Sequence, residues 1–403
     1  MTDYKSAKKA CDINSRISER VIDGFLLYYA ATKNKLAEEM ERLFAKYRHI
    51  TATLPEEVIN RMKAQYIIYR VFKEGGTIMS LLGHPAVKQL DNEALEFLEF
   101  HARTPWRFSF ATLIGSPAAN FHIMEDVFTD EELLLYSPGV TETNNESTPL
   151  LWFNLISWNG VCWQSFGPIA AYSSFSADDI FFFATELDSR IEDEESLMAS
   201  IARNPLPYMM LVSGGSLPIV INGPHQLIHN ISEHEMEIPD TRKLLPYFRS
   251  EFSGKVFRFS LKGWSEHPHF AQAYYDESIG VMQVSALTDE GFRVITEQFS
   301  KLGYPISSEA DIRVTTTMVI TASKILKKKI NLLRYEFLFA EKTTPEQKKS
   351  IADINRFLSL ILKDVNEGKV PDLALFATAA GIDIEQARAI YEQVKDIPGK
   401  YKK

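Results

Sequence analysis

The chain has 403 residues, 45% hydrophobic and 24% charged, a globular composition too long for one ordinary core, so several folded units are expected. No apolar run approaches the roughly 18 uncharged residues of a membrane helix. The opening Met1-Thr-Asp-Tyr-Lys-Ser-Ala-Lys-Lys lacks the apolar core of a signal peptide, which makes the cytoplasm the expected location and a membrane no expected partner.

The net charge of −9 is unevenly spread: residues 101–200 hold 3 Lys and Arg against 15 Asp and Glu, and no Lys occurs between Lys88 and Lys243. Such a segment cannot neutralise phosphates, which argues against nucleic acid. It suits a basic protein partner or a divalent cation, or it simply keeps a surface soluble. Cys11 and Cys162 are the only cysteines. Far apart in sequence, they are expected in different domains, leaving neither a disulfide framework nor a cysteine zinc site.

Residues 1–103 predict a helical domain. Ile17, Val21, Phe25, Tyr28, Tyr29, Leu36, Met40, Leu43, Phe44 and Tyr47 recur at three- and four-residue steps, interrupted around Thr32-Lys-Asn. Thr53 and Pro55 open a second helix that runs to Phe72 and stops at Gly75-Gly76, and a third covers Asp91 to His101.

Residues 104–190 predict a small acidic antiparallel barrel. Six short strands are expected, at Trp106–Ile114, Phe121–Met124, Glu132–Tyr136, Leu150–Ile156, Val161–Phe166 and Ile169–Tyr172, with Gly167-Pro168 as the last turn. Glu125, Asp126 and Asp130, near a hairpin tip, are hard oxygen donors for calcium or magnesium, although the spacing lacks the central glycine and closing glutamate of a calcium loop. Trp106, Trp152, Trp158 and Trp163 could stack a ligand, but alternation assigns Trp152 and Trp163 to a core. Pro105-Trp106 with its strand, Asp126-Val-Phe-Thr-Asp-Glu-Glu, and Gly167-Pro168-Ile169 together resemble the small β-module of uncharacterised bacterial proteins, some of which end in a zinc-binding SEC-C motif. The resemblance covers about 80 residues, departs at Thr129-Asp130-Glu131, where Thr-Gly-Glu is usual, and lacks the cysteine-rich motif. It implies a fold and no activity.

Ser176 and Asp179 form a capping box for the next helix. Residues 191–340 predict an α+β domain with strands at Tyr208–Val212, Leu217–Ile221, Lys255–Leu261, Gln272–Tyr275 and Ile279–Ala286, a helix at Phe292–Leu302 and an extended stretch at Asp311–Ile320. Here five of the nine histidines gather: His225, His229, His234, His267 and His269. Imidazoles at this density can hold zinc, with Glu235 or Glu266 completing a site, which makes a metal-dependent hydrolase one reading. The spacing lacks the Glu that follows the first His of a zincin helix, and Pro268 points to a loop. Val212-Ser-Gly-Gly-Ser216 lacks the order of a nucleophile elbow, and no phosphate-binding glycine loop occurs.

From Lys324 the pattern is helical, with Lys327-Lys-Lys329 on a wet face, and a further helix opens at Thr344-Pro345. Residues 341–403 predict a helical tail in which Ala377, Gly381, Ile382, Ala387 and Ile390 take the packing positions of a helix-turn-helix. Only Gln386, Arg388 and Gln393 on its second helix suit a DNA groove, so packing is the better role. The expected whole is a multi-domain α+β chain acting as a non-catalytic interaction or adaptor protein. A zinc-dependent hydrolase and a DNA-binding regulator are the alternatives.

Overall fold

The computed structural model describes residues 3–29, 36–144, 149–214, 221–222, 225–339, 345–366 and 369–394. The fold is α+β and multi-domain, with a closed five-stranded barrel and a six-stranded sheet among helices. Two compact units emerge. The first comprises Met1–Ser232, Ala286–Thr296 and Ser307–Ile330, and the second Glu233–Ser285, Glu297–Ile306 and Asn331–Lys403. No helix among the described residues is long and apolar enough to cross a membrane.

In the first unit, α1 (Tyr4–Ser18) begins at Asp3, whose carboxylate accepts from the Lys5 and Ser6 amides, and it buries Ala7, Cys11 and Ile17. A π-helical stretch, Glu19–Leu26, follows, and then α2 (Leu36–Lys46). The interruption expected at Thr32-Lys-Asn lies outside the described residues. Helix α3 (Glu56–Phe72) starts after Pro55; Thr53 does not cap it, because its hydroxyl donates back to the Ile50 carbonyl at 2.7 Å. Helix α4 (Asn92–Arg103) is capped by Asp91 and delivers the chain to the barrel. There Trp106 stacks on Phe72 at 4.7 Å and donates its indole N–H to His101 Nδ1 at 3.0 Å.

The barrel strands are β1 (Arg107–Ala118), β2 (Phe121–Asp126), β3 (Glu132–Tyr136), β4 (Leu151–Trp158) and β5 (Trp163–Tyr172), closed in the order β1-β2-β3-β5-β4. The β3–β5 pair is parallel and the others antiparallel. Ala111, Met124, Leu133, Leu135, Val140, Trp152 and Ile156 fill its core. The two strands expected on either side of Gly167-Pro168 are one strand. Gly167 sits at φ +76°, so the chain bulges without turning. The α3 side chain Gln65 occupies the space above Gly167, and its amide donates to the Phe166 and Pro168 carbonyls at 2.7 and 3.0 Å. These carbonyls flank the bulge, where the sheet ladder is disrupted, and Gln65 supplies them with donors. At one end of the β2–β3 pair, Phe121 and Tyr136 pack against Tyr4, Ala7 and Cys11 of α1.

Helices α5 (Ala177–Leu187) and α6 (Glu194–Arg203) follow, and the Ser176–Asp179 capping box forms as expected. Tyr208–Val212, read as a strand, is instead a short helix, Leu206–Met209, running into a 3-10 turn, Met210–Ser213. Pro205 and Pro207 preset the helical φ there, overriding the strand-like run that follows. Residues 217–220 of the next expected strand, and residues 215–216 of the serine-glycine loop, lie outside the described residues. Ile221–Asn222 forms β6, paired with β7 (His225–Gln226).

The six-stranded sheet has β8 (Ile228–Glu235), β9 (Phe248–Ser253), β10 (Val256–Leu261), β11 (Gln272–Asp276), β12 (Val281–Ala286) and β13 (Ile312–Thr315) in the order β13-β8-β12-β11-β10-β9. Strand β8 passes from the first unit into the second after Ser232. After β12 comes α7 (Asp289–Lys301), as expected. Only four residues of the stretch Asp311–Ile320 are extended: Thr315 turns into an N-cap, accepts from the Met318 amide at 3.1 Å and starts α8 (Thr316–Leu326). The helix expected from Lys324 onward ends at Leu326, with Lys327 left-handed at φ +53°, so Lys327-Lys-Lys329 lies beyond a helix end.

In the tail, α9 (Pro345–Asn366), α10 (Leu373–Ala380) and α11 (Ile384–Val394) pack around Phe357, Ile361, Ala377, Ala380 and Ala387. Gly381 closes α10 at φ +79°. Thr344, expected to open α9, lies outside the described residues.

Candidate functional site

The β2–β3 hairpin concentrates the acid of the barrel. Its register places Glu125 directly opposite Glu132, and both side chains are exposed. Asp130 joins them at the tip with a left-handed backbone, φ +55°. Like charges facing each other across an antiparallel pair destabilise it, by about 0.2–1 kcal/mol. Glu131 is neutralised by Arg107, whose guanidinium also lies 4.9 Å over the Trp163 ring.

Asp126 has a different task. Fully buried, it accepts from Ser109 Oγ at 2.7 Å and from the Phe128 amide at 3.1 Å, which ties the hairpin to β1. The oxygen set expected for a cation, Glu125, Asp126 and Asp130, is therefore split, with Asp126 turned inward. Trp106 and Trp152 are core residues, and Trp163 meets Trp158 edge-on at 5.8 Å.

The histidines of residues 225–269 are dispersed. His225 lies in β7 by its backbone. His229 and His234 share β8, but five residues along a strand places them on opposite faces. His229 Nε2 lies 3.2 Å from Thr316 Oγ1, and burial lowers its pKa to about 4, so it stays neutral at pH 7. His267 and His269 flank Pro268 in the loop between β10 and β11, where His269 lies against Trp264 at 4.5 Å and His267 against Phe270 at 5.8 Å. Glu266 lies 3.9 Å from Arg249. Among the described residues no group of three or more His, Cys, Asp or Glu side chains is assembled to hold a metal ion.

A cleft of about 350 Å³ in the first unit was not foreseen from the sequence. Asp178 at the start of α5, Asn230 on β8, Asp289 at the start of α7 and Arg313 on β13 converge there. Arg313 grips Asp289 through two nitrogens, at 3.1 and 3.0 Å, and reaches Asp178 at 3.1 Å, while Asn230 donates to Asp289 at 3.1 Å. Burial pushes the Asp289 carboxyl up, but the Arg313 contacts outweigh it and hold the group below the usual carboxylate range. Beneath the rim, Asp179 accepts from the Thr315 amide and hydroxyl at 2.7 and 2.9 Å and from the Ser176 amide at 2.8 Å, and burial pushes its carboxyl up. The capping box was the only trace of this in the sequence. The chemistry is that of a clamp joining two helix starts to two strands, since Arg313 and Asp289 already satisfy one another.

Comparison with known proteins finds no matching family model, no matching curated protein and no matching solved structure.

Proposed function

We propose that the chain is a non-catalytic interaction protein that presents the acidic β2–β3 hairpin of its barrel to a Lys- and Arg-rich segment of a partner protein. The observation that carries this reading is the Glu125–Glu132 pair: two exposed carboxylates are set opposite one another, with Asp130 beside them, at a cost to the free fold. A basic side chain placed between them would convert repulsion into two ion pairs and speed the encounter electrostatically.

The test uses Glu132→Lys, which swaps a repulsive cross-strand pair for an attractive one. The variant is expected to unfold at higher denaturant, by up to about 1 kcal/mol, while binding Lys/Arg-rich peptides about tenfold more weakly than the parent. Binding by the parent should fall steeply with salt. A variant that gains no stability and keeps the parent's peptide affinity would sink the reading. The tail offers less to DNA than to a protein, because Arg388 of α11 is paired to Glu385 at 2.7 Å.

A further inference from the structure

We propose that Cys11 and Cys162 are a reactive thiol pair that closes to a disulfide on exposure to a hydroperoxide, fastening α1 to the β4–β5 turn of the barrel. The expectation that the cysteines lie in different domains is wrong. Although 151 residues separate them, their sulfurs are 3.3 Å apart and both side chains are fully buried, within the first unit. The pair sits where α1 meets the barrel, in a cluster with Ala7, Phe121 and Tyr136.

The surroundings are built around the two sulfurs. Asn159 occupies the turn between β4 and β5, where its side-chain oxygen accepts from the Val161 and Cys162 amides, each at 2.9 Å. That anchoring aims its amide nitrogen at the sulfurs, 3.3 Å from Cys11 Sγ and 3.7 Å from Cys162 Sγ. Gln164 holds the other side: its oxygen accepts from Asn159 at 2.7 Å and from Asn14 at 2.8 Å, and its nitrogen donates to the Cys11 carbonyl at 3.3 Å. Two thiols packed for bulk alone need no such donors.

The polar frame makes the sulfurs unequal. The thiol–thiol contact with Cys162, and a hydrogen bond from Asn159, hold the Cys11 thiol below its ordinary range against the opposing effect of burial. The same contact, together with burial, pushes the Cys162 thiol up. Lys8 and Asp12, the charged neighbours on α1, pair with each other at 2.7 Å. The Asn159 amide nitrogen lies nearer Cys11 Sγ, at 3.3 Å, than Cys162 Sγ, at 3.7 Å, which assigns Cys11 as the nucleophile and Cys162 as the resolving thiol. A cavity of about 170 Å³ of mixed polar and apolar lining, with Asn14, Ser15 and Gln164 on one part of its wall and Trp106 and Phe166 on another, adjoins this network and has room for a small peroxide.

The chemistry balances in two steps. The Cys11 thiolate attacks one peroxide oxygen and the O–O bond breaks, giving Cys11 sulfenic acid and a hydroxide or alkoxide that takes a proton from solvent. The Cys162 thiol then attacks the Cys11 sulfur, forming the S–S bond and expelling the sulfenic oxygen as water, with the thiol's own proton among its hydrogens. Two electrons pass from the dithiol to the peroxide. The resulting bridge ties residue 11 to residue 162, closing a loop longer than a third of the chain.

The experiment treats the full chain with hydrogen peroxide and maps peptides without reduction. The parent is expected to yield a Cys11–Cys162 linked peptide and a mass lower by two hydrogens, both reversed by a dithiol reductant. Cys162→Ser should be trapped by a sulfenic-acid probe at Cys11, and Cys11→Ser should not be labelled at Cys162. Asn159→Asp keeps the turn acceptor but removes the amide donor, and should slow Cys11 labelling several-fold. Should a serine variant fail to fold, the linked peptide of the parent decides alone. Two thiols still alkylatable after peroxide and denaturation, cross-links only between chains, or labelling at Cys162 as fast as at Cys11 would overturn the proposal.

Discussion

The two cysteines and the five clustered histidines behave in opposite ways. Cys11 and Cys162 are 151 residues apart and touch, whereas the histidines crowd into residues 225–269 and scatter over a strand pair, both faces of β8 and a loop. Closeness along a strand is not closeness in space, because successive side chains alternate faces and His229 and His234 differ by an odd step. Distant residues meet when a helix lies across a barrel end, as α1 does. The polar residues around the sulfurs have specific partners, whereas no group of three metal-ligating side chains gathers among the described histidines.

The largest effect that would sharpen this contrast is expected in the barrel. Trp152→Ala empties the centre of its core and should cost about 3–5 kcal/mol in denaturant unfolding; a loss below about 1 kcal/mol would mean the barrel is not the rigid half. Acid comes next. Burial lowers His101 to a pKa of about 3 and His229 to about 4, while the unfolded chain binds those protons near 6.5. Between these values the unfolded state holds more protons, so stability is complete above about pH 6.5 and falls as pH drops toward 4. Denaturant titrations at pH 7 and pH 4.5 should differ by a few kcal/mol, and a flat profile would show that neither ring is buried neutral.

Gln65→Ala should cost about 1–3 kcal/mol, because the Phe166 and Pro168 carbonyls lose their amide donor. A variant as stable as the parent would show that water takes over the role. The smallest effect is expected in the histidine loop. His267→Ala should change stability by no more than about 0.5 kcal/mol and leave zinc affinity untouched. A zinc-dependent rise in the parent's melting temperature that this variant abolishes would break the contrast, since ligand binding to the folded state alone must stabilise it.

Much of the architecture was legible where a local rule governed. The strands from Trp106 to Ile156 and the Ser176–Asp179 cap are set by alternation and capping, each visible in a few residues. Some errors are local, as at Tyr208–Val212, where Pro205 and Pro207 preset a helix, and others fall where a distant contact overrides the local signal. Gly167-Pro168 reads as a turn because the Gln65 amide that lets it run on as a bulged strand lies on another element. Thr315-Thr-Thr-Met-Val-Ile reads as a strand because β-branching hides the cap at Thr315, and Asp179 fixes that residue from α5. Of the sites, the acidic hairpin could be anticipated from charge alone. The cysteine pair could not, since its only signal is the fold.

The Gln65 plug also bears on how portable the barrel is. A fragment cut at the helix–strand boundary, residues 104–190, would keep all five strands but lose the amide that stitches the Gly167 bulge, the Phe72 ring beneath Trp106, and the α1 residues against Phe121 and Tyr136. The barrel is then no free-standing building block that could be shuffled between proteins unchanged. Anyone excising the barrel should keep α1 and α3 with it.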